Sequence, residues 1–123
     1  MSGANYTMKS PREPLAIAIG VVMAIGLMWA ASQPAAGKIV ASAWHYAAHF
    51  GAFYLFAMTW VIGLPRVPTI VTAAGAIGFG ALHEAYEMLG HAHGFELKDA
   101  IVDGAGAMLG AFSGRLIFGR LKR

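Results

Sequence analysis

Three pairs of ionisable residues interrupt a chain that is otherwise mostly apolar. The members of each pair are three or four positions apart: His45 and His49, Glu84 and Glu87, Asp99 and Asp103. In an α-helix, residues at this spacing lie on the same face, so each pair would present two polar groups together. Histidines combined with carboxylates can bind a divalent metal, hold a charged headgroup or pass protons.

A purely structural interpretation stands beside this functional one. The same residues could form a hydrogen-bonded cluster that only fixes how helices pack, and loop residues such as His91, His93 and Glu96 are expected to be solvated. No compact metal motif such as HExxH is present, so a divalent metal is one option among several and no catalytic residue is assigned. The predicted pocket residues are His49, Glu84, Glu87, Asp99 and Asp103, with His45 and His83 as secondary candidates.

The composition indicates a membrane protein. Of the 123 residues, 58% are apolar and only 12% are charged, whereas soluble domains carry about 25% charged residues. The basic residues lie at the ends of apolar runs, so the net charge of +3 does not indicate a nucleic-acid partner. The chain has no cysteine, which excludes disulfides and zinc–thiolate sites.

Four apolar stretches, each near the ~20 residues needed to cross a bilayer, predict an all-α, four-helix transmembrane bundle. The predicted helices cover residues 14–33, 40–64, 68–90 and 99–118, and the Pro-Arg-Val-Pro turn at 65–68 separates the second from the third. A cytoplasmic tail (1–13), a single transmembrane domain (14–118) and a basic cytoplasmic tail (119–123) follow from these bounds. A signal peptide is the alternative for the first stretch, which we expect to be an uncleaved span.

The basic residues predict the orientation. With both termini on one side, that side holds all of the nine Lys and Arg except Lys38 and Lys98. Cytoplasmic segments of membrane proteins carry an excess of Lys and Arg. Both termini are therefore predicted to be cytoplasmic, which puts all five histidines and five of the six acids at the outer ends of the helices.

Small residues continue the faces that carry the acids. Gly80 shares a predicted face with Glu84 and Glu87, and Gly106, Gly110 and Gly114 share one with Asp99 and Asp103. Small residues mark helix-packing faces in lipid, so these glycines are predicted contacts and the acids should face the interior. Ala107 is expected on a different face from Gly110. Tryptophans near helix ends are expected to anchor at the interface: Trp29, Trp44 and Trp60.

Three runs in the sequence resemble the VanZ-like family: HFGAFYLF (49–56), LHEAYE (82–87) and DAIVDGAGAMLG (99–110). The resemblance covers about residues 38–115, and the positions that fit the family pattern are His49, Glu84, Asp99, Gly106 and Gly110. The chain departs by carrying Glu87 where the family has glutamine and Asp103 where it has asparagine, and the family's loop arginine is missing. These departures would make the pocket more acidic.

The resemblance implies a small multi-pass protein of the bacterial cytoplasmic membrane and cell envelope, and one VanZ-like protein is linked to resistance against the glycopeptide teicoplanin. Our first hypothesis is a protein that binds a lipid headgroup or cell-wall precursor in an outward-facing pocket. The second is a small accessory subunit of a larger membrane complex, or a homo-oligomer. The third is a metal-dependent hydrolase of lipid-linked phosphate that uses His49, Glu84 and Asp103. Membrane lipids are expected partners in all three.

Because the chain has no cysteine, the orientation can be tested with single cysteines at Ser2, Arg66 and His93. A membrane-impermeant thiol reagent added to intact cells should label only the His93→Cys variant. Labelling at Ser2 or Arg66 without labelling at His93 would invert the topology, and the cysteine-free parent is the control.

Overall fold

A computed structural model describes residues 11–33, 43–91 and 94–120. It contains four helices: α1 (Arg12–Ala31), α2 (Ala43–Gly63), α3 (Thr69–His91) and α4 (Leu97–Arg120). No strand occurs in those three ranges, and the predicted all-α, four-helix architecture is confirmed. The helix ends lie within three residues of the predicted ones; α1 takes in the last residues of the predicted tail, and α3 continues to His91.

The helices suit a lipid environment. By length and composition, α1, α2 and most of α4 could cross a membrane. Helix α3 is not among these candidates, and it is the helix that carries His83, Glu84 and Glu87; its 23 residues nevertheless extend ~34 Å at the helical rise. Large apolar side chains point away from the bundle on every helix, as lipid-facing residues do. Those of Val22 and Leu89, for example, are 68% and 76% exposed.

Helices α2 and α4 run parallel and touch through their backbones. A β-carbon added to Gly106 would overlap the carbonyl oxygen of Phe50, and one added to Gly110 would overlap that of Tyr54. Only glycine allows so close an approach. The α2–α4 contact is the most extensive in the bundle. Successive contact points are four residues apart on both helices: Phe50 and Tyr54 on α2, Gly106 and Gly110 on α4.

The two other predicted packing glycines also lie in helix contacts. A β-carbon at Gly114 would lie 3.0 Å from Cγ of Met58 on α2, and one at Gly80 would lie 3.2 Å from Cβ of Asp103 on α4. Glycine thus appears at successive points where α4 meets its neighbours. These contacts set how closely α3 and α4 can approach the rest of the bundle.

The predicted interior faces are the buried ones. On α3, Ala73, Ala76 and Gly80 are buried in line with Glu84 and Glu87. The prediction for Ala107 was wrong, because this residue is fully buried in the core. Three residues along a helix amount to about 300°, so Ala107 lies only about 60° round the helix from Gly110.

Helix α1 packs into the bundle through small residues. Gly20 lies against the indole of Trp60, where an added β-carbon would come within 2.8 Å of Cε2. The expectation that Trp60 anchors at the interface was therefore wrong: its Nε1 is buried, with no hydrogen-bond partner among the described residues. Trp29 and Trp44 are largely exposed, as interfacial residues would be.

Arg115 ties the end of α4 to the turn between α2 and α3. Its Nε donates to Thr69 Oγ1 (2.8 Å), and its two terminal nitrogens donate to the carbonyls of Pro65 (2.8 Å) and Val67 (2.7 Å). A small cavity of about 90 Å³ beside it is also lined by Arg12. The start of α1, the 64–68 turn and the end of α4 therefore share one end of the bundle, and the ionisable pairs occupy the other.

Gly110→Leu should destabilise the protein by about 1–3 kcal/mol or prevent folding, because the side chain must displace the Tyr54 backbone. Ala105→Leu is the matched control, since Ala105 is exposed on the same helix and its substitution should cost less than about 0.5 kcal/mol. Folded yield and thermal unfolding in mild detergent measure both. Equal losses would show that the glycine contact is not what holds α4 to α2.

Candidate ligand site at the polar end of the bundle

Two histidine–aspartate pairs connect α2 to α4. His45 Nε2 lies 3.0 Å from Asp99 Oδ2, and His49 Nδ1 lies 2.8 Å from Asp103 Oδ1. His45 and His49 are one helical turn apart on α2, and Asp99 and Asp103 are one turn apart on α4. Because the two helices are parallel and keep the same register, the residues form two pairs, one a turn above the other. The imidazole rings of His45 and His49 are themselves adjacent, with centroids 4.4 Å apart.

The two pairs differ in depth. In the His45–Asp99 pair, the side chains are 24% and 3% exposed, and in the His49–Asp103 pair they are 12% and 0% exposed. The first pair thus borders the end of the bundle, whereas the second lies one turn further in. A hydrogen bond in the deeper, drier position is stronger, and its loss is more costly.

Glu84 supports the start of α4. Its carboxylate is fully buried, and Oε1 accepts the backbone N–H of Glu96, the residue before α4, at 3.0 Å. A carboxylate at a helix N-terminus satisfies an otherwise unpaired donor and interacts favourably with the helix dipole. Glu84 therefore holds α3 against the beginning of α4, a contact that nothing in the local sequence of either segment indicates.

A cleft of about 190 Å³ lies beside the pairs, between the ends of α1 and α3 and the beginning of α2. Its lining combines polar side chains with apolar ones such as Leu27 and Phe53. The four polar residues that line it are His45, His49, His83 and Glu87.

The predicted candidates divide between two positions. His49 and Glu87 line the cleft, and the secondary candidates His45 and His83 do as well. Asp99, Asp103 and Glu84 are absent from its lining; the two aspartates bond to histidines that line it. The sequence did not predict that apolar residues of α1 line the cleft, because no pattern in α1 indicates which helix it packs against. His93 and the side chain of His91 lie outside the described residues.

His83 lies at the inner edge of the cluster. Its ring is 6.0 Å from that of His49 and 5.6 Å from that of Phe53, measured between centroids. The residue is 5% exposed, and its Nδ1 has no hydrogen-bond partner among the described residues. A buried polar atom without a hydrogen-bond partner destabilises the folded protein. His83 is therefore suited to bond to a polar group placed in the cleft.

The cluster carries an excess of acidic groups. Glu84, Glu87, Asp99 and Asp103 are all buried, and no Lys or Arg is ion-paired with Glu84, Asp99 or Asp103 in the described part of the chain. The neighbouring Lys98 is exposed. Several buried carboxylates cannot all remain ionised without compensating charge. Within the described residues, that compensation can come from protons, from protonated histidine or from a bound cation.

No family model matches the chain, and neither a curated protein nor a solved structure matches it.

A double-mutant cycle should separate the two pairs energetically. We expect a coupling of about 1–3 kcal/mol between His49→Ala and Asp103→Ala, because each single change leaves a buried polar group without its partner. The more exposed pair, His45→Ala with Asp99→Ala, should couple more weakly. Asp103→Asn keeps an acceptor for His49 and should cost less than Asp103→Ala. Thermal unfolding in detergent gives all the values, and equal coupling in the two pairs would contradict the difference in depth.

Proposed function

We propose that this chain is a VanZ-like integral membrane protein that binds the polar headgroup of a lipid or a cell-wall precursor at the outward-facing end of its bundle. The observation that carries the proposal is the cleft, whose lining combines three histidines and Glu87 with apolar side chains of α1 and α2. Such a mixed lining suits an amphiphile. The VanZ-like sequence runs contribute residues on both sides of the cluster, among them His49 and Asp99.

The size of the cleft favours a headgroup. Its volume of about 190 Å³ is below the ~300–1,000 Å³ that sites for drug-sized ligands occupy, so a small polar moiety fits and a whole lipid does not. The acyl or prenyl chain of the ligand would remain along the apolar exterior, which every helix presents. An opening at the end of a transmembrane bundle lies at the depth of lipid headgroups.

The charge of the site indicates the class of headgroup. Glu87 lines the cleft, and Asp99 and Asp103 lie directly behind the histidines that line it. A protonated amine in the cleft would offset this negative charge, whereas an anionic headgroup would add to it. The ligand chemistry that we propose is therefore a primary ammonium group, which occurs on aminophospholipids and on peptide-bearing cell-wall precursors.

The proposal predicts selective retention of amine headgroups. Protein in mild detergent should bind phosphatidylethanolamine at least about tenfold more tightly than phosphatidylglycerol, as measured by native mass spectrometry. Glu87→Gln should reduce that preference by about tenfold or more, because a charge-assisted hydrogen bond contributes about 1.5–3 kcal/mol. An amine-bearing lipid-linked precursor, tested in parallel, distinguishes the two sources of the amine.

Glu13→Gln is the matched control, because it removes a carboxylate at the opposite end of the bundle. It should leave the preference unchanged. Equal binding of the two phospholipids by folded wild-type protein, or equal effects of the two glutamine variants, would refute headgroup binding in the cleft.

An accessory subunit is the second candidate, and the outer face of α3 favours it. Gly75 and Gly78 are exposed there, and a β-carbon on either would meet no atom within 4 Å. Exposed glycines in a membrane helix suit contact with another helix more than contact with lipid. Copurification with a stoichiometric larger partner, or a stable homo-oligomer, would support this assignment.

A further inference from the structure

We propose that His45, His49 and Asp99 bind a divalent transition-metal ion such as Zn²⁺, with Asp103 positioning His49. The site lies in the same cluster as the headgroup cleft, but it requires no headgroup. Both proposals draw on the same buried negative charge, so the headgroup assay is read on the metal-free protein, where the two can succeed or fail separately.

The donor atoms are already gathered. One ligand atom from each of His45, His49 and Asp99 lies within 4.8 Å of the other two, and His45 Nε2 is 3.0 Å from Asp99 Oδ2. Ligands bound tetrahedrally at about 2.0–2.2 Å are separated by about 3.3–3.6 Å. Small side-chain rotations would therefore allow all three groups to contact one ion, and a fourth position would remain open.

Asp103 prepares His49 for this role. It bonds to Nδ1 of His49 at 2.8 Å, which leaves Nε2 as the ring nitrogen available to an ion. Metal-bound histidines usually donate their other ring N–H to a carboxylate, a backbone carbonyl or water, which fixes the tautomer and the ring orientation. Asp103 is fully buried, and its Oδ2 has no hydrogen-bond partner among the described residues, so the bond to His49 is the one that orients this carboxylate there.

A cation also resolves the charge of the cluster. Glu84, Asp99 and Asp103 are buried without a Lys or Arg ion pair in the described part of the chain. A divalent ion bound to Asp99 would offset two of these charges at once, which neutral histidines cannot do.

The types of donor select the class of metal. Two imidazoles and one carboxylate suit zinc and neighbouring transition metals, whereas magnesium and calcium prefer oxygen ligands alone. The site stands on helices that are held together by the Gly106–Phe50 and Gly110–Tyr54 contacts. It therefore lies on the two helices that share the most extensive contact in the bundle.

The test is Zn²⁺ binding by the full chain in mild detergent after removal of metals with a chelator. Wild type should bind about one equivalent of Zn²⁺. His45→Ala, His49→Ala and Asp99→Asn should each weaken binding by more than about 100-fold, and Asp103→Asn by about 10–100-fold, as expected for a residue that positions a ligand. The remote Glu13→Gln variant should bind like wild type.

A second measurement uses only the wild-type protein, so it does not depend on whether the variants fold. Co²⁺ added to metal-free wild type should produce the intense visible absorption of a tetrahedral site, and stoichiometric Zn²⁺ should abolish it. Absence of this absorption in folded wild type, or Zn²⁺ binding by His45→Ala equal to that of wild type, would overturn the metal site. Repeating the phospholipid assay on the chelated protein distinguishes the proposals. If only the metal site is wrong, the chelated protein still prefers phosphatidylethanolamine to phosphatidylglycerol.

Discussion

The backbone contact between α2 and α4 is the constraint on which the rest of this structure depends. Gly106 and Gly110 let α4 approach the carbonyls of Phe50 and Tyr54 more closely than any side chain would allow. Because the two helices are parallel and in constant register, one contact determines the others along their length. The same register that places glycine opposite Tyr54 places Asp103 opposite His49 and Asp99 opposite His45. Packing thus determines the chemistry of the site.

The polar end of the bundle brings four buried acids close together. Ionisable groups in a membrane span are expensive unless they face a partner or a polar cavity. Here each buried acid has an identifiable neighbour. Asp99 and Asp103 bond to histidines, and Glu84 accepts a backbone N–H at the start of α4. Glu87 lines the cleft. This arrangement satisfies several hydrogen-bonding groups, but within the described residues it pairs no Lys or Arg with Glu84, Asp99 or Asp103. That imbalance is the physical basis for proposing a cationic ligand or ion.

The opposite end of the bundle shows how a partly buried cation can be bound by backbone and hydroxyl acceptors. Arg115 uses three donors on one hydroxyl and two carbonyls of the 64–69 segment, groups that the interrupted helix leaves without partners. The result joins α4 to the junction of α2 and α3 and completes a bundle with distinct ends. One end is structural and bound by backbone acceptors, whereas the other presents histidines and carboxylates to a cleft.

Local periodicity was enough to predict the four helices, their approximate ends and, on α3 and α4, most of the buried face. Residues three or four apart share a face, so Glu84 lies in line with Gly80, and Asp103 in line with Gly106 and Gly110. Which faces meet depends on the packing of the whole bundle. The pairing of His49 with Asp103, the capping of α4 by Glu84 and the placement of Trp60 against Gly20 join residues that are distant in sequence. Periodicity specifies the direction of a side chain on its own helix, but the partner depends on how closely and in what register two helices pack, and backbone approach at glycine sets both.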